Sequence, residues 1–254
     1  LLRQLLTETD DAVLWCDSDI ILTSPITPIL DSMNSEMFIA TEEYGWGRTK
    51  GSSIRTTGWG FEDARPLRVT VNSCFMRMNA SHLTLLQAWE DCLARTDYRE
   101  AQTAPWDQRP TYFIGDQDAL TALLASPEFA NVPLYLLRSG MEIAQCFEED
   151  GYTVQDRLFN AIKRRVPQLV HAQGGKPWLT GKRANFQQLS PYGPIASPHL
   201  KRASLPQAWT SPDDLLCRLM DLVTFGNPNL RGFLPALGRT TKRAWKNKAK
   251  LFSC

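Results

Sequence analysis

The chain has 254 residues, with 43 % apolar and 22 % charged side chains and a net charge of +1 from 28 basic and 27 acidic groups. That balance fits one large globular α/β unit, or a domain with a tail, and excludes disordered, collagen-like and coiled-coil chains. No apolar run approaches the roughly 18 residues a spanning helix needs, and the overall charge shows no preference for nucleic acid.

The predicted elements alternate along the chain. Leu1–Thr9 reads as a short amphipathic helix and Ala12–Cys16 as a buried strand. Ile26–Met33 reads as a helical turn and Met37–Thr41 as a strand. Glu43–Pro66 is rich in glycine and aromatics without periodicity, so a loop is expected; its Tyr44, Trp46, Trp59 and Phe61 would suit stacking on sugar rings. Arg68–Met78 reads as extended with a break near Asn72, and Ser81–Arg95 as a helix with Ser81 as its N-cap. Asn79-Ala-Ser81 fits a glycosylation sequon but reads more economically as a turn and cap. Gly115–Ala125 and Val154–Arg165 are further helices, with strands at Leu134–Leu137 and Gln168–Ala172. Such alternation predicts an α/β layer structure over residues 1–188. A Pro-rich connector, a short helical segment and a basic tail occupy 189–254. From Leu222 onward there are seven cations and no acid. That tail suits either a solvated terminus or an anionic membrane surface. The six cysteines lack metal-site spacing and read as scattered thiols, which favours a cytoplasmic location.

Two stretches carry chemistry. In Leu14-Trp-Cys-Asp17-Ser-Asp19-Ile an apolar strand ends in two carboxylates one residue apart. Extended backbone would put both on one face, at the carboxyl end of a strand, where open α/β sheets bind ligands. Carboxylates that close repel unless a cation or proton lies between them; strand-end caps are the plainer alternative. In Leu169-Val-His171-Ala-Gln-Gly174-Gly175-Lys176-Pro-Trp178 a strand-end histidine precedes a glycine pair and a lysine. Glycine N–H groups can face phosphate oxygens, with Lys176 adding a point charge. Two Asp oxygens and one His nitrogen suit Mn²⁺ or Mg²⁺, and the mixed donor set leans to Mn²⁺.

With these residues in view, the sequence resembles the GT-A-fold glycosyltransferases, and within them family 8, the glycogenin and lipopolysaccharide galactosyltransferase group. Asp17-Ser-Asp19 is similar to their DxD element, and Asn72-Ser-Cys74 to their NSG strand. Asp116-Gln117-Asp118-Ala-Leu120 is similar to their DQD-x-L helix start, and His171 through Trp178 to their HxxGxxKPW element. The resemblance implies a GT-A-like mixed sheet flanked by helices, lacking part of the N-terminal nucleotide-binding half, as in an N-terminally truncated fragment. It implies a nucleoside-diphosphate-sugar donor, a UDP-sugar first, and transfer of a hexose to a glycan, lipid or small-molecule acceptor with retention. Asp17, Asp19 and His171 would hold the metal, while Gly174, Gly175 and Lys176 would hold the diphosphate. Asn72, Asp116 and Gln117 would face the donor sugar or the acceptor, with Gln117 near the reacting carbon. Cys74 replaces a glycine of the pattern, and Lys176 comes one residue early. Those two departures keep a second reading open, a non-catalytic module that binds nucleotide or glycan without turnover.

Overall fold

The computed structural model describes residues 1–43, 51–146, 151–173, 222–234 and 236–238, with 191–193, 195, 202, 219, 240 and 241. The chain divides into two compact units, Leu1–Ser18 with Thr27–Arg138 and Asp19–Ile26 with Ser139–Cys254. Each contains a mixed sheet flanked by helices, so the α/β class expected from the sequence is observed.

The first unit contains α1 (Leu2–Glu8), β1 (Val13–Cys16), α2 (Thr27–Asp31), β3 (Phe38–Glu42), α3 (Ser53–Trp59), β4 (Val71–Met78), α4 (Leu83–Ala94), α5 (Thr96–Gln102), α6 (Asp116–Ala125) and β5 (Leu134–Leu137). Its sheet runs β1-β4-β3-β5. β4 pairs antiparallel with β1 and β3, while β5 lies parallel to β3 with Phe38 opposite Leu134. The break expected near Asn72 is not in the strand, which is continuous. It lies in the pairing, whose register shifts between Ile39–Arg77 and Thr41–Asn72. An irregularity of this kind bends a strand and re-aims its side chains.

Helix α6 forms the centre of this core, with every residue from Asp118 to Ala125 buried. Leu120, Leu123 and Leu124 pack with Phe38, Met76, Met78 and Leu85. Apolar side chains on nearly every side suit a helix enclosed by neighbours rather than one lying on a surface. Arg65 closes its C-terminal end, donating from Nε (3.0 Å) and an η nitrogen (2.7 Å) to Leu124 O.

Three local expectations are corrected. Part of the presumed loop is helical, because Arg55, Thr56 and Trp59 recur at i, i+1 and i+4 and all face inward. Ser, Thr and Gly at the intervening positions hid that face, and Gly60 ends the helix in the left-handed region (φ 84°). Trp59 belongs to the core, 1 % exposed, with Phe113 and Tyr98 against its ring, so it is no sugar platform. Tyr44 and Trp46 lie outside the described residues. The cap before α4 is Asn79 rather than Ser81: its Oδ1 accepts from Ser81 N (3.0 Å), and a 3₁₀ turn, Ala80–His82, precedes the helix. The turn-and-cap reading of Asn79-Ala-Ser81 therefore describes this segment correctly.

The second unit contains β2 (Ile20–Leu22), β6 (Ile143–Gln145), α7 (Val154–Ile162) and β7 (Leu169–His171), with strand order β2-β7-β6. β2 runs antiparallel to β7 with Ile20 opposite His171, and β6 runs parallel with Gln145 opposite His171. β2 and β6 have three residues each, too short for a visible alternation, and α5 is likewise absent from the sequence expectation. Ala144, Cys146, Tyr152, Val170, Ala172 and Tyr192 form this unit's core. Among the described residues no helix is long and apolar enough to cross a membrane.

Candidate metal and polar sites

The register of the second sheet sets the surroundings of His171. Opposed residues on neighbouring strands project to the same face, so Gln145 and His171 meet side by side. Gln145 Oε1 lies 2.7 Å from His171 Nδ1, with both residues buried. An amide oxygen accepts only from a protonated ring nitrogen, so Nδ1 carries a hydrogen, and in the neutral ring the lone pair is on Nε2. Nε2 lies 3.4 Å from Oδ1 of Asp19, the residue just before β2. Asp19 is 5 % exposed and its carbonyl accepts from Ala172 N, joining the two strand ends. The buried Tyr192 phenol is held well above its usual range, mainly by burial and further by the Asp19 charge.

Asp17 follows β1 directly. Its N–H donates to Cys74 O (2.8 Å), and its Oδ1 accepts from Trp15 Nε1 (3.1 Å). Asp17 and Asp19 flank a turn at Ser18, not an extended segment, so their closeness follows from a single intervening residue rather than from strand alternation. Asp17 belongs to the first unit, two residues before Asp19, which with His171 belongs to the second. Two carboxylates and an imidazole make a donor set whose chemistry suits a divalent cation. Gln145 provides the outer hydrogen bond that metal-binding histidines usually have. Gly174, Gly175 and Lys176 lie outside the described residues.

A second polar cluster occupies the first unit where β3, β4 and α6 meet. Glu43 Oε2 accepts from Asn72 Nδ2 and from Gln117 Nε2 (3.1 Å). Asn72 Oδ1 accepts from Cys74 N (2.8 Å), so both ends of that amide are engaged. Cys74 turns into the core beside Thr41 Oγ1 (3.2 Å), while Ser73 faces the other way and donates to Asp116 Oδ2 (3.3 Å). Asn72, Asp116 and Gln117 are thus brought together, and the turn that begins α6 is the reason. Gly115 N donates to Asp118 Oδ2 (2.9 Å), capping the helix and leaving Asp116 and Gln117 beside the β4 residues. The opposite carboxylate oxygen of Asp118 meets Arg55 Nε at 2.5 Å, both side chains being at least 95 % buried. Burial pushes the Asp118 carboxyl upward and the Arg55 charge offsets part of that. Sequence reasoning missed Glu43, Arg55, Gln145 and Tyr192. The first two sat in a stretch read as loop, and nothing in sequence spacing marks the others.

No family model and no curated protein matches the chain. One solved structure, mouse xyloside xylosyltransferase 1 in its apo form, is similar at 17 % identity and a TM-score of 0.35. The similarity covers 68 % of this chain and 61 % of that one, so the chain spans less than two thirds of that protein's length. A likeness that slight carries no argument about fold or activity.

Proposed function

We propose that the chain is a metal-dependent glycosyltransferase of GT-A, family-8 type, moving a hexose from a nucleoside-diphosphate sugar to a glycan, lipid or small-molecule acceptor with retention. The observation that supports this reading is the buried Asp19–His171 pair of the second unit, with Gln145 Oε1 on His171 Nδ1 so that Nε2 faces the carboxylate. Asp17, Asp19 and His171 would hold Mn²⁺ or Mg²⁺. Such a cation offsets the negative charge that develops on a departing diphosphate. Gly174, Gly175 and Lys176 take the phosphate contacts that their motif implies. Asn72, Asp116 and Gln117 face the sugar or acceptor, with Glu43 fixing which way the two amides point. A UDP-sugar is the donor put first.

Thermal shifts of the whole chain with UDP, GDP and CDP, each with and without Mn²⁺, test the reading. A ligand at a hundred times its Kd raises stability by about 2.7 kcal/mol. We expect one nucleotide to shift the transition only with metal, and the shift to vanish in Asp17→Ala/Asp19→Ala. A folded protein with no metal-dependent shift for any nucleotide would overturn the transferase reading. A shift that needs neither metal nor the two carboxylates would favour the non-turnover module.

A further inference from the structure

Helix α7 is amphipathic in the wrong direction for a soluble surface. Its buried residues are Arg157 and Asn160, both 0 % exposed, whereas Leu158, Phe159 and Ile162 are 43, 39 and 76 % exposed. At about 100° per residue the three apolar side chains share one arc and the two buried polar ones lie opposite. The inward polar face has a definite purpose. Arg157 donates to the carbonyls of Tyr152 (2.9 Å) and Arg231, and Tyr152 Oη donates to Asn229 Oδ1 (2.7 Å). Asn229 Nδ2 donates back to Arg165 O (2.8 Å). These bonds fasten the 229–231 segment to α7.

That segment brings more exposed apolar surface of the same unit, with Leu222, Val223 and Phe225 at 72, 64 and 96 % exposure and Leu234 at 57 %. Lys163, Arg164 and Arg165 follow α7 directly and are exposed, with Lys163 and Arg165 over the Phe159 ring. The one acid of α7, Asp156, is bound in the Thr153 cap. The sequence from Leu222 to its end contains seven cations and no acid.

From this arrangement we infer that the outward face of α7, together with the 222–234 segment, docks on an anionic lipid surface. Apolar side chains next to cations are what a helix lying in a headgroup layer requires. Nucleic acid would engage the cations but leave Ile162 and Phe225 in water.

Vesicle flotation with the whole chain tests the inference, comparing phosphatidylcholine alone with phosphatidylcholine containing phosphatidylglycerol. The protein should float only with the anionic vesicles, and high salt should release it. Ile162→Asp and Phe225→Ser, both at exposed positions, should each weaken flotation about tenfold. Lys163→Gln/Arg164→Gln should weaken it about tenfold as well, with an unchanged thermal transition. No flotation, equal flotation with both vesicle types, or full flotation by folded Ile162→Asp and Phe225→Ser would overturn it. So would a solution dimer that Ile162→Asp dissociates, which would assign the face to a second copy.

Discussion

Substituting Asp118→Asn should reveal what the third acidic-motif residue of the α6 start does. Asp118 is 2 % exposed and its partner Arg55 is 4 % exposed, with Nε and Oδ1 2.5 Å apart. The amide keeps the shape and can still accept from Gly115 N, but it leaves a buried guanidinium whose remaining bond is to Gly51 O (3.0 Å). Removing one partner of a buried ion pair costs about 3–5 kcal/mol, against a total of about 5–15 kcal/mol for a typical domain. Urea unfolding followed by tryptophan fluorescence measures it, since Trp59 lies in the same core. Replacing both partners, Arg55→Met/Asp118→Leu, should recover most of the loss because no charge remains buried. Arg55→Met alone should also change the pH dependence. Asp118 already titrates above its unfolded value, so its contribution is complete below about pH 4 and declines as pH rises through the folded value. Without the arginine the folded value climbs, and the decline extends to higher pH. A loss under about 1 kcal/mol in Asp118→Asn, or a double variant no better than the single, would refute the ion-pair reasoning.

Four further outcomes follow from the same geometry. Gln145→Leu should weaken Mn²⁺ binding about 10- to 100-fold, while Gln145→Glu, which can still accept from Nδ1, should retain it; titration calorimetry with Mn²⁺ alone decides. Burial lowers the His82 pKa, and its Nδ1 accepts from Asn79 N (3.1 Å), so this cap requires the neutral ring. Its contribution to stability should be complete above about pH 6.5 and lost as pH falls through the folded value, a slope that His82→Asn removes in denaturation series at stepped pH. Gly58→Ala should cost about 1–3 kcal/mol, because the added methyl would stand 2.2 Å from Tyr112 Cγ; a melting point unchanged from the parent would contradict this. Burial pushes the Cys92 thiol up to about 11, so a thiol reagent near neutral pH should reach exposed Cys16 and leave Cys92 unmodified until the protein unfolds.

Elements with a sustained period were readable from sequence, and so were residues whose chemistry is compressed into a few positions. β1, β3, α4 and α6 carry their burial pattern in consecutive side chains, and the DQD run supplies the Asp118 cap at the start of α6. Helix α3 was hidden because its inward face is Arg55, Thr56 and Trp59, only one of them apolar. Arg55 is tolerated there by a carboxylate 63 positions away, and no local pattern reports a partner at that separation. Trp59 shows the reverse error: an aromatic among glycines suggests an exposed platform until Phe113 and Tyr98 arrive from later elements to enclose it.

Gln145 is the most instructive case, because nothing in Ile143-Ala-Gln145 suggests a functional residue. Parallel pairing with β7 puts its amide oxygen on His171, which places a hydrogen on Nδ1 and, in the neutral ring, the lone pair on Nε2. A histidine with the opposite tautomer would present an N–H to Asp19, making an ordinary hydrogen bond and repelling any cation. The Asp19–His171 pair would then be structural and nothing more. Which imidazole nitrogen turns to Asp19 is set one strand away from the motif, by a sheet register that only the folded chain possesses.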